Sequence, residues 1–409
     1  MISRRTLLLG AAGLAAGSSL TALSACAQIP EDYAGVQPLG QRTFADYVLE
    51  TRAWIAGHRQ FVTDDHAAEM SYNAPSETRP AEWPPKTGAV KGILLVHGLG
   101  DSPWSFVDQA KSYAEAGWLV RTVLLPGCGT RPEDMVRPTA DDWRRVVREQ
   151  AEILHRDLTS LNPGAEVWLG GFSTGCNLVT EFAYQHDWVE GLVLFSPAYA
   201  VRTRLAFLAP AASHVVTWLR KPEDSMMGGH TPFRYTIVPT QALAAFVDTM
   251  EVSRAALESR LFTKPVVVMM AEHDSVVDTE ELLPVISRQM VNPRSRILWY
   301  GSTETAQKLA AGDTRVIVRT DVVPEYRVTS FSHMGMLYRP DNPKYGAAGS
   351  DRICRKEGEK ASSRLCLEAP EDAVFYGAWG DKSAGTVRAR LTFNPWYAAQ
   401  EADIRSVMR

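Results

Sequence analysis

A series of short apolar runs, each closed by residues that favour turns, constrains this chain more than any other feature of its sequence. Gly92-Ile93-Leu94-Leu95-Val96 ends in His97-Gly98, and Leu119-Val120-Arg121-Thr122-Val123-Leu124-Leu125 ends in Pro126-Gly127. Glu166-Val167-Trp168-Leu169 runs into Gly170-Gly171, and Gly191-Leu192-Val193-Leu194-Phe195 into Ser196-Pro197. Pro265-Val266-Val267-Val268-Met269-Met270 ends in Ala271-Glu272-His273-Asp274. Runs that are apolar at successive rather than alternate positions fit strands covered on both faces. Helical patterns lie between them. The clearest spans Asp141 to Leu161, where Trp143, Val146, Val147, Ala151, Leu154 and Leu158 recur at helical spacing behind an Asp141 cap. Alternating strands and helices predict an α/β fold, a mostly parallel sheet with helices on both faces. Ligands of such sheets sit at the carboxyl ends of the strands, where the His, Gly, Ser and Asp residues of this sequence collect.

The rhythm lapses over residues 198–262, whose apolar patterns (Leu205–Leu208, Val215–Leu219, Leu243–Val247) read as a helical cap inserted over the sheet edge. The core is then 88–197 together with 263–340. Residues 26–87 form an N-terminal helical and loop region. Within it, 29–42 read as a tether, Phe44–Arg59 as a helix with Phe44, Tyr47, Val48, Trp54 and Ile55 on its apolar side, and 74–89 as a loop. Residues 341–409 are a C-terminal extension. A chain of 409 residues buries a large core without help from metals. Its formal charge of −4 offers no electrostatic case for nucleic acid. No Cys-x-x-Cys or Cys/His cluster suggests zinc.

Gly171-Phe172-Ser173-Thr174-Gly175 follows the third run and opens the helical stretch Asn177–Tyr184. A serine on a sharp strand-to-helix turn suits a nucleophile, because flanking glycines tolerate strained backbone angles and the helix N-terminus favours negative charge. His97-Gly98-Leu99-Gly100 follows an earlier run and Asp274-Ser275-Val276-Val277-Asp278 a later one. In this order the motifs resemble the α/β-hydrolase superfamily. Within it they are most similar to the bacterial monoacylglycerol lipase and carboxylesterase group, through the His97–Pro103 turn and the string Pro126-Gly127-Cys128-Gly129. The resemblance covers residues 88 to 340.

It implies an α/β-hydrolase fold and a Ser, Asp, His triad in that chain order, needing no cofactor and no metal. Ser173 would be the nucleophile. Of nine histidines only His333, in Phe331-Ser332-His333-Met334-Gly335-Met336, lies beyond Asp274, so the order leaves it as the base. His97 would bond its own turn instead. The acid is Asp274, which matches the family's Asp-x-Val-Val string, or Asp278, which would more naturally cap a helix from Thr279. The backbone N–H groups of Leu99 and Thr174 would be the oxyanion donors. The implied reaction is hydrolysis of a small-molecule carboxylic ester, short-to-medium in acyl length and monoacylglycerol-like, through an acyl-enzyme. No basic cluster near the motifs points to a phosphate-bearing substrate. Of the cap's apolar residues (Leu205, Phe207, Leu208, Val215, Val216, Trp218 and Leu219), some would pack on the core and the rest line an acyl channel. The same triad serves peptidases, thioesterases and amidases, and a non-catalytic envelope lipoprotein using the fold for binding is the alternative from another class. Protein partners are not legible.

The first residues have their own grammar. Arg4 and Arg5 precede an apolar, Gly- and Ala-rich run from Thr6 to Ala25, with no further charge before Glu31. Ser3-Arg4-Arg5-Thr6-Leu7-Leu8 resembles a twin-arginine export signal, and Leu23-Ser24-Ala25-Cys26 resembles the lipobox of bacterial lipoproteins. That resemblance implies a signal peptide over 1–25, lipid modification of Cys26, and a membrane anchor in the bacterial cell envelope facing the periplasm or exterior. An uncleaved apolar anchor and a plain cleaved signal are the alternatives. An exported protein meets oxidising conditions, so Cys354 and Cys366 are expected to pair and close a short polar loop. Cys128 and Cys176 read as small buried residues, with a bond between them as the alternative. Cys26→Ser is expected to release the protein from membranes or leave it unprocessed. Mass spectrometry of the mature N-terminus checks this, and an unmodified terminus elsewhere would remove the assignment.

Overall fold

Successive residues of each apolar run face opposite ways, and both directions are filled. The computed structural model describes residues 35–222, 229–354, 360–380 and 386–409. The export signal, Cys26 and most of the tether lie outside the described residues. In chain order the strands are β1 (Glu77–Thr78), β2 (Lys91–Val96), β3 (Leu119–Val123), β4 (Glu166–Phe172) and β5 (Val189–Phe195). A small hairpin of β6 (His230–Thr231) and β7 (Arg234–Tyr235) follows, then β8 (Val266–Ala271), β9 (Arg296–Tyr300) and β10 (Val316–Arg319). Eight strands form one sheet in the order β1-β3-β2-β4-β5-β8-β9-β10. Every pairing in it is parallel except that of β1 with β3. This is the α/β-hydrolase fold that the motif order implied.

Leu94, Val96, Leu169, Leu194 and Val268 point to one face. There they meet helices α1 (Phe44–His58), α4 (Ala140–Leu161), α5 (Thr174–Gln185), α7 (Thr240–Ser259) and α8 (Thr279–Gln289). Ile93, Leu95, Val193, Val267 and Leu298 point to the other. Its cover is α3 (Val107–Glu115) and α11 (Tyr397–Val407), with segments from the extension between them. The remaining helices are short: α2 (His66–Asn73), α6 (Ala209–Ala212), α9 (Thr303–Ala310) and α10 (Lys360–Glu368). Among the described residues no helix is long and apolar enough to cross a membrane.

Several local features differ from the sequence expectation. The N-cap of α4 is Thr139 rather than Asp141. Thr139 accepts from the Asp142 N–H while the Asp142 carboxylate accepts from the Thr139 N–H, a reciprocal capping box that the downstream acid completes. The stretch 74–89 contributes the edge strand β1, where Glu77 pairs with Arg121 at 2.7 Å. Strands β9 and β10 carry no long apolar run, because β9 starts at Arg296 and β10 is a half-exposed edge. The tether region is partly packed: Gln37 is buried and its Nε2 donates to Leu124 O at 2.7 Å.

The segment 198–262 is two things. Its second half, α7, packs on α5 with Ala242, Phe246, Met250 and Leu257 buried in the helical layer. Its first half carries the apolar residues expected to pack on the core or line a channel; Trp218 is half-buried and most of the others face solvent. Leu205 and Leu219 are each 73% exposed, and Phe207, Leu208, Val215 and Val216 are exposed too.

The extension is structural. Strands β11 (Val374–Gly377) and β12 (Val387–Arg390) pair in parallel beside the His333 segment, and Tyr376, Leu391, Phe393, Ile404 and Val407 fill the second face. Cys354 and Cys366 are joined, with Cα atoms 5.7 Å apart. Cys366 is buried among apolar residues although the surrounding stretch is charged.

Glu401 of α11 is 1% exposed, and burial pushes its carboxyl up to about 7 despite a hydrogen bond from Ser112 Oγ. The folded state therefore holds this proton more tightly than the unfolded state does. Its stabilising effect is full below the ordinary carboxylate range and is lost as pH rises towards 7. Glu401→Gln is expected to gain about 1–3 kcal/mol over the parent at pH 8 and almost nothing at pH 5, by thermal or denaturant unfolding. Equal gains at both pH values would contradict the assignment.

Candidate active site

The site begins where β4 turns into α5. Ser173 has φ 53° and ψ −115°, a left-handed conformation that is costly for a residue with a Cβ. Two glycines make the turn feasible. A Cβ on Gly171 would collide with the backbone of Gly175 and Cys176, and one on Gly175 would collide with the carbonyls of Val96 and His97. The start of α5 therefore lies directly on the end of β2. Ser173 N–H donates to Phe195 O at 3.0 Å, tying the turn to β5 as well. The hydroxyl-bearing residue is 8% exposed.

Asp274 and His333 come together across the end of β8. His333 Nδ1 donates to Asp274 Oδ2 at 2.7 Å. The other oxygen, Oδ1, accepts from the N–H groups of Val276 at 2.8 Å and Val277 at 2.9 Å. Burial alone would raise this carboxyl, but the imidazole and the two N–H groups outweigh it and hold the carboxyl below its usual range. An ionised Asp274 fixes the Nδ1–H tautomer of His333 and leaves Nε2 free to accept a proton. The His333 ring packs at 5.1 Å from the ring of Phe172, the residue before Ser173. Asp278 does something else: it caps α8, accepting from Glu281 N at 3.2 Å. His273 bonds Asp321 at 2.6 Å.

The turn after β2 supplies the opposite wall. Thr174 is the first residue of α5, so its N–H has no carbonyl partner in a preceding helical turn. Leu99 lies in the Gly98–Gly100 turn, which the close approach of Gly175 to His97 O brings against that helix end. His97 is held inside the protein. Its Nδ1 donates to Gly98 O at 2.8 Å and its Nε2 accepts from Leu125 N at 3.0 Å, linking the turns after β2 and β3. Burial pushes its pKa down to about 4, so it is neutral and fully bonded. Cys128 and Cys176 are both buried and unpaired, and burial pushes both thiols up. Among the described residues no group of His, Cys, Asp and Glu is arranged to hold a metal.

Further residues hold the site, and the sequence analysis assigned none of them a role there. Ser196, with φ 48°, donates to His333 O at 2.8 Å and so braces the histidine backbone from β5. Ser332 Oγ donates to Leu391 O in the extension at 2.5 Å. Arg202 donates to the carbonyls of Asp274 and Glu272. Arg234 of the β6–β7 hairpin pairs with Asp101 at 3.4 Å beside the Gly98–Gly100 turn. A signal existed only for Ser196, as the residue closing an apolar run. The others act through contacts between distant segments.

Comparison with known proteins places this geometry in context. Residues 88–292 match the family described as "Serine aminopeptidase, S33". A thermostable monoacylglycerol lipase of Bacillus sp. (strain H-257) is 27% identical over 192 residues, 46% of this chain and 71% of the lipase. Among solved structures, one of the metagenome-derived lipolytic enzymes LipS and LipT is 21% identical with a TM-score of 0.43, over 57% of this chain and 90% of that one. A monoglyceride lipase from Saccharomyces cerevisiae is 13% identical with a TM-score of 0.43, over 58% of this chain and 87% of that one.

The two aspartates make a discriminating pair. Asp274→Asn is expected to lower kcat on a p-nitrophenyl ester by about 10³–10⁴-fold, because the wrong tautomer is favoured. Asp278→Asn keeps a good N-cap side chain and should cost little stability and little turnover. The reverse ranking would move the acid to Asp278.

Proposed function

The chain belongs to the α/β-hydrolase family described as "Serine aminopeptidase, S33", and we propose that it is a serine hydrolase of carboxylic esters with Ser173, His333 and Asp274 as its triad. The observation that carries this reading is the 2.7 Å bond from His333 to an ionised, doubly N–H-bonded Asp274, on a loop packed against the strained serine turn. In the proposed cycle Ser173 Oγ attacks the ester carbonyl as its proton passes to His333 Nε2. The developing oxyanion accepts from the N–H groups of Leu99 and Thr174. The C–O bond breaks, and the alcohol leaves with the proton from His333. Water then attacks the acyl-serine by the same proton route and releases the acid.

The family's description names a peptidase and the Bacillus relative is named a lipase, so the choice rests on this site. An aminopeptidase needs a carboxylate to receive the substrate ammonium. Here Asp101 faces Arg234 and Asp274 faces His333, so the carboxylates flanking the serine are already paired. That favours an ester over a free peptide N-terminus. The exposed apolar residues along 205–219 support a substrate met at a lipid surface, which agrees with an envelope enzyme anchored through Cys26. We take the substrate as a single-chain ester of short-to-medium acyl length, similar to a monoacylglycerol.

A fluorophosphonate probe is expected to label the protein and to fail with Ser173→Ala. Across an acyl series from two to sixteen carbons, kcat/KM should rise, each methylene that fits adding roughly 0.8 kcal/mol, and then fall. A flat profile, or faster cleavage of a peptide amide than of any ester, would sink this reading.

A further inference from the structure

Two arginines reach the catalytic end of the sheet from segments far apart in the chain. Arg234 lies on β7, and its guanidinium faces Asp101 at 3.4 Å and the Met334 sulfur beside His333. Arg390 is the last residue of β12, immediately before Leu391, whose carbonyl takes the Ser332 hydroxyl bond that braces the His333 turn. It is 8% exposed, and its Nε and Nη2 are buried with no partner in the protein. Its one defined side-chain contact is the ring of Trp379, 5.3 Å from the guanidinium carbon. A cation over an aromatic face gains modestly and leaves in-plane N–H donors unsatisfied.

The local charge balance is uneven. Asp274 is taken up by His333 and two backbone N–H groups, and Asp101 by Arg234. Among the described residues no carboxylate lies within ion-pair distance of Arg390. Burial, reinforced by the nearby Arg234, pushes Arg390 down to about 10, while Asp274 and Asp101 work against that shift. The side chain stays cationic at neutral pH. A buried cation with two unmet donors is costly unless something anionic completes it.

We propose that Arg390, with Arg234 beside it, receives an anionic group of the substrate, so that the preferred ester carries a carboxylate or phosphate near the scissile bond. This rests on the esterase reading above and narrows its substrate class. The anion has two possible origins, the acyl half of the ester or its alcohol half, and both would present oxygens that match a guanidinium fork.

The test measures kcat/KM of the full-length protein in neutral detergent on two matched pairs. One pair is p-nitrophenyl hexanoate and mono-p-nitrophenyl adipate, with the charge on the acyl side. The other is 1-hexanoylglycerol and 1-hexanoylglycerol 3-phosphate, with the charge on the alcohol side. The charged member of at least one pair is expected to be preferred tenfold or more, mainly through KM, and the winning pair identifies the half that carries the anion. Arg390→Met should collapse that preference to near unity, and Arg390→Lys should keep part of it. A merely structural arginine would lower both members together and leave their ratio unchanged. A preference that survives Arg390→Met, or no preference for either charged ester, would overturn the proposal while Ser173-dependent cleavage of the neutral esters leaves the esterase reading standing. Cleavage of none of the four esters would overturn that reading, and this inference with it.

Discussion

The contact of α5 with the end of β2 admits only a glycine at position 175, since any side chain there would strike the carbonyls of Val96 and His97. That approach sets three things together. It accompanies the positive-φ corner at Ser173, it lays the first N–H groups of α5 against the Gly98–Gly100 turn, and it seats the start of α5 on the end of β2, whose parallel pairing with β4 brings the serine there. His97 extends the constraint sideways through its neutral, doubly bonded ring, which pins the turn after β3. The serine corner is thus strained locally and held by neighbours on every side, which is how a costly backbone conformation persists.

His333 is held by a different kind of support. His333 sits on a loop whose backbone is braced from β5 by Ser196 and from the extension by Ser332 bonding to Leu391. An aromatic cluster locks the same region to the Gly98–Gly100 turn. Trp104 stacks on Phe233 at 4.3 Å and packs at 4.9 Å from Tyr338, and Phe233 meets Tyr345 at 5.0 Å. Phe233 sits in the hairpin, Trp104 just after the turn, and the tyrosines just after His333. The described residues of the extension therefore help to cover one face of the sheet and hold His333 at the same time.

What could be read in advance follows from the range of each interaction. The strand runs, the serine corner and the Asp274-to-His333 order are local strings whose chemistry survives without knowledge of the fold. Asp278 was separable from Asp274 because a helix cap is also a local pattern. The rest depended on partners distant in sequence. The Thr139 cap is completed by Asp142 and was misplaced by two residues. Strands β9 and β10 are short and bounded by charge, so neither offers the long apolar run that marked the other strands. The apolar residues of 205–219 were read by composition, and composition does not say whether a side chain meets core or solvent.

The absence of a basic cluster near the motifs was a reading of neighbouring residues, and it does not speak to side chains brought in from afar. Arg234 and Arg390 are separated by more than a hundred positions, and neither lies in a charged run. Only the folding of β12 against the His333 loop brings the second to the first. Once there, Arg390 lowers stability, because its stacking on Trp379 does not compensate two buried donors left unmet. The apolar packing of Leu391, Phe393 and Tyr376 around it offsets that cost. An apolar residue of similar volume would pack there without the desolvation penalty of a cation. The position thus holds a buried positive charge close to Asp274 and Asp101, two carboxylates that are already paired, and the proposed anionic group of the substrate would complete it.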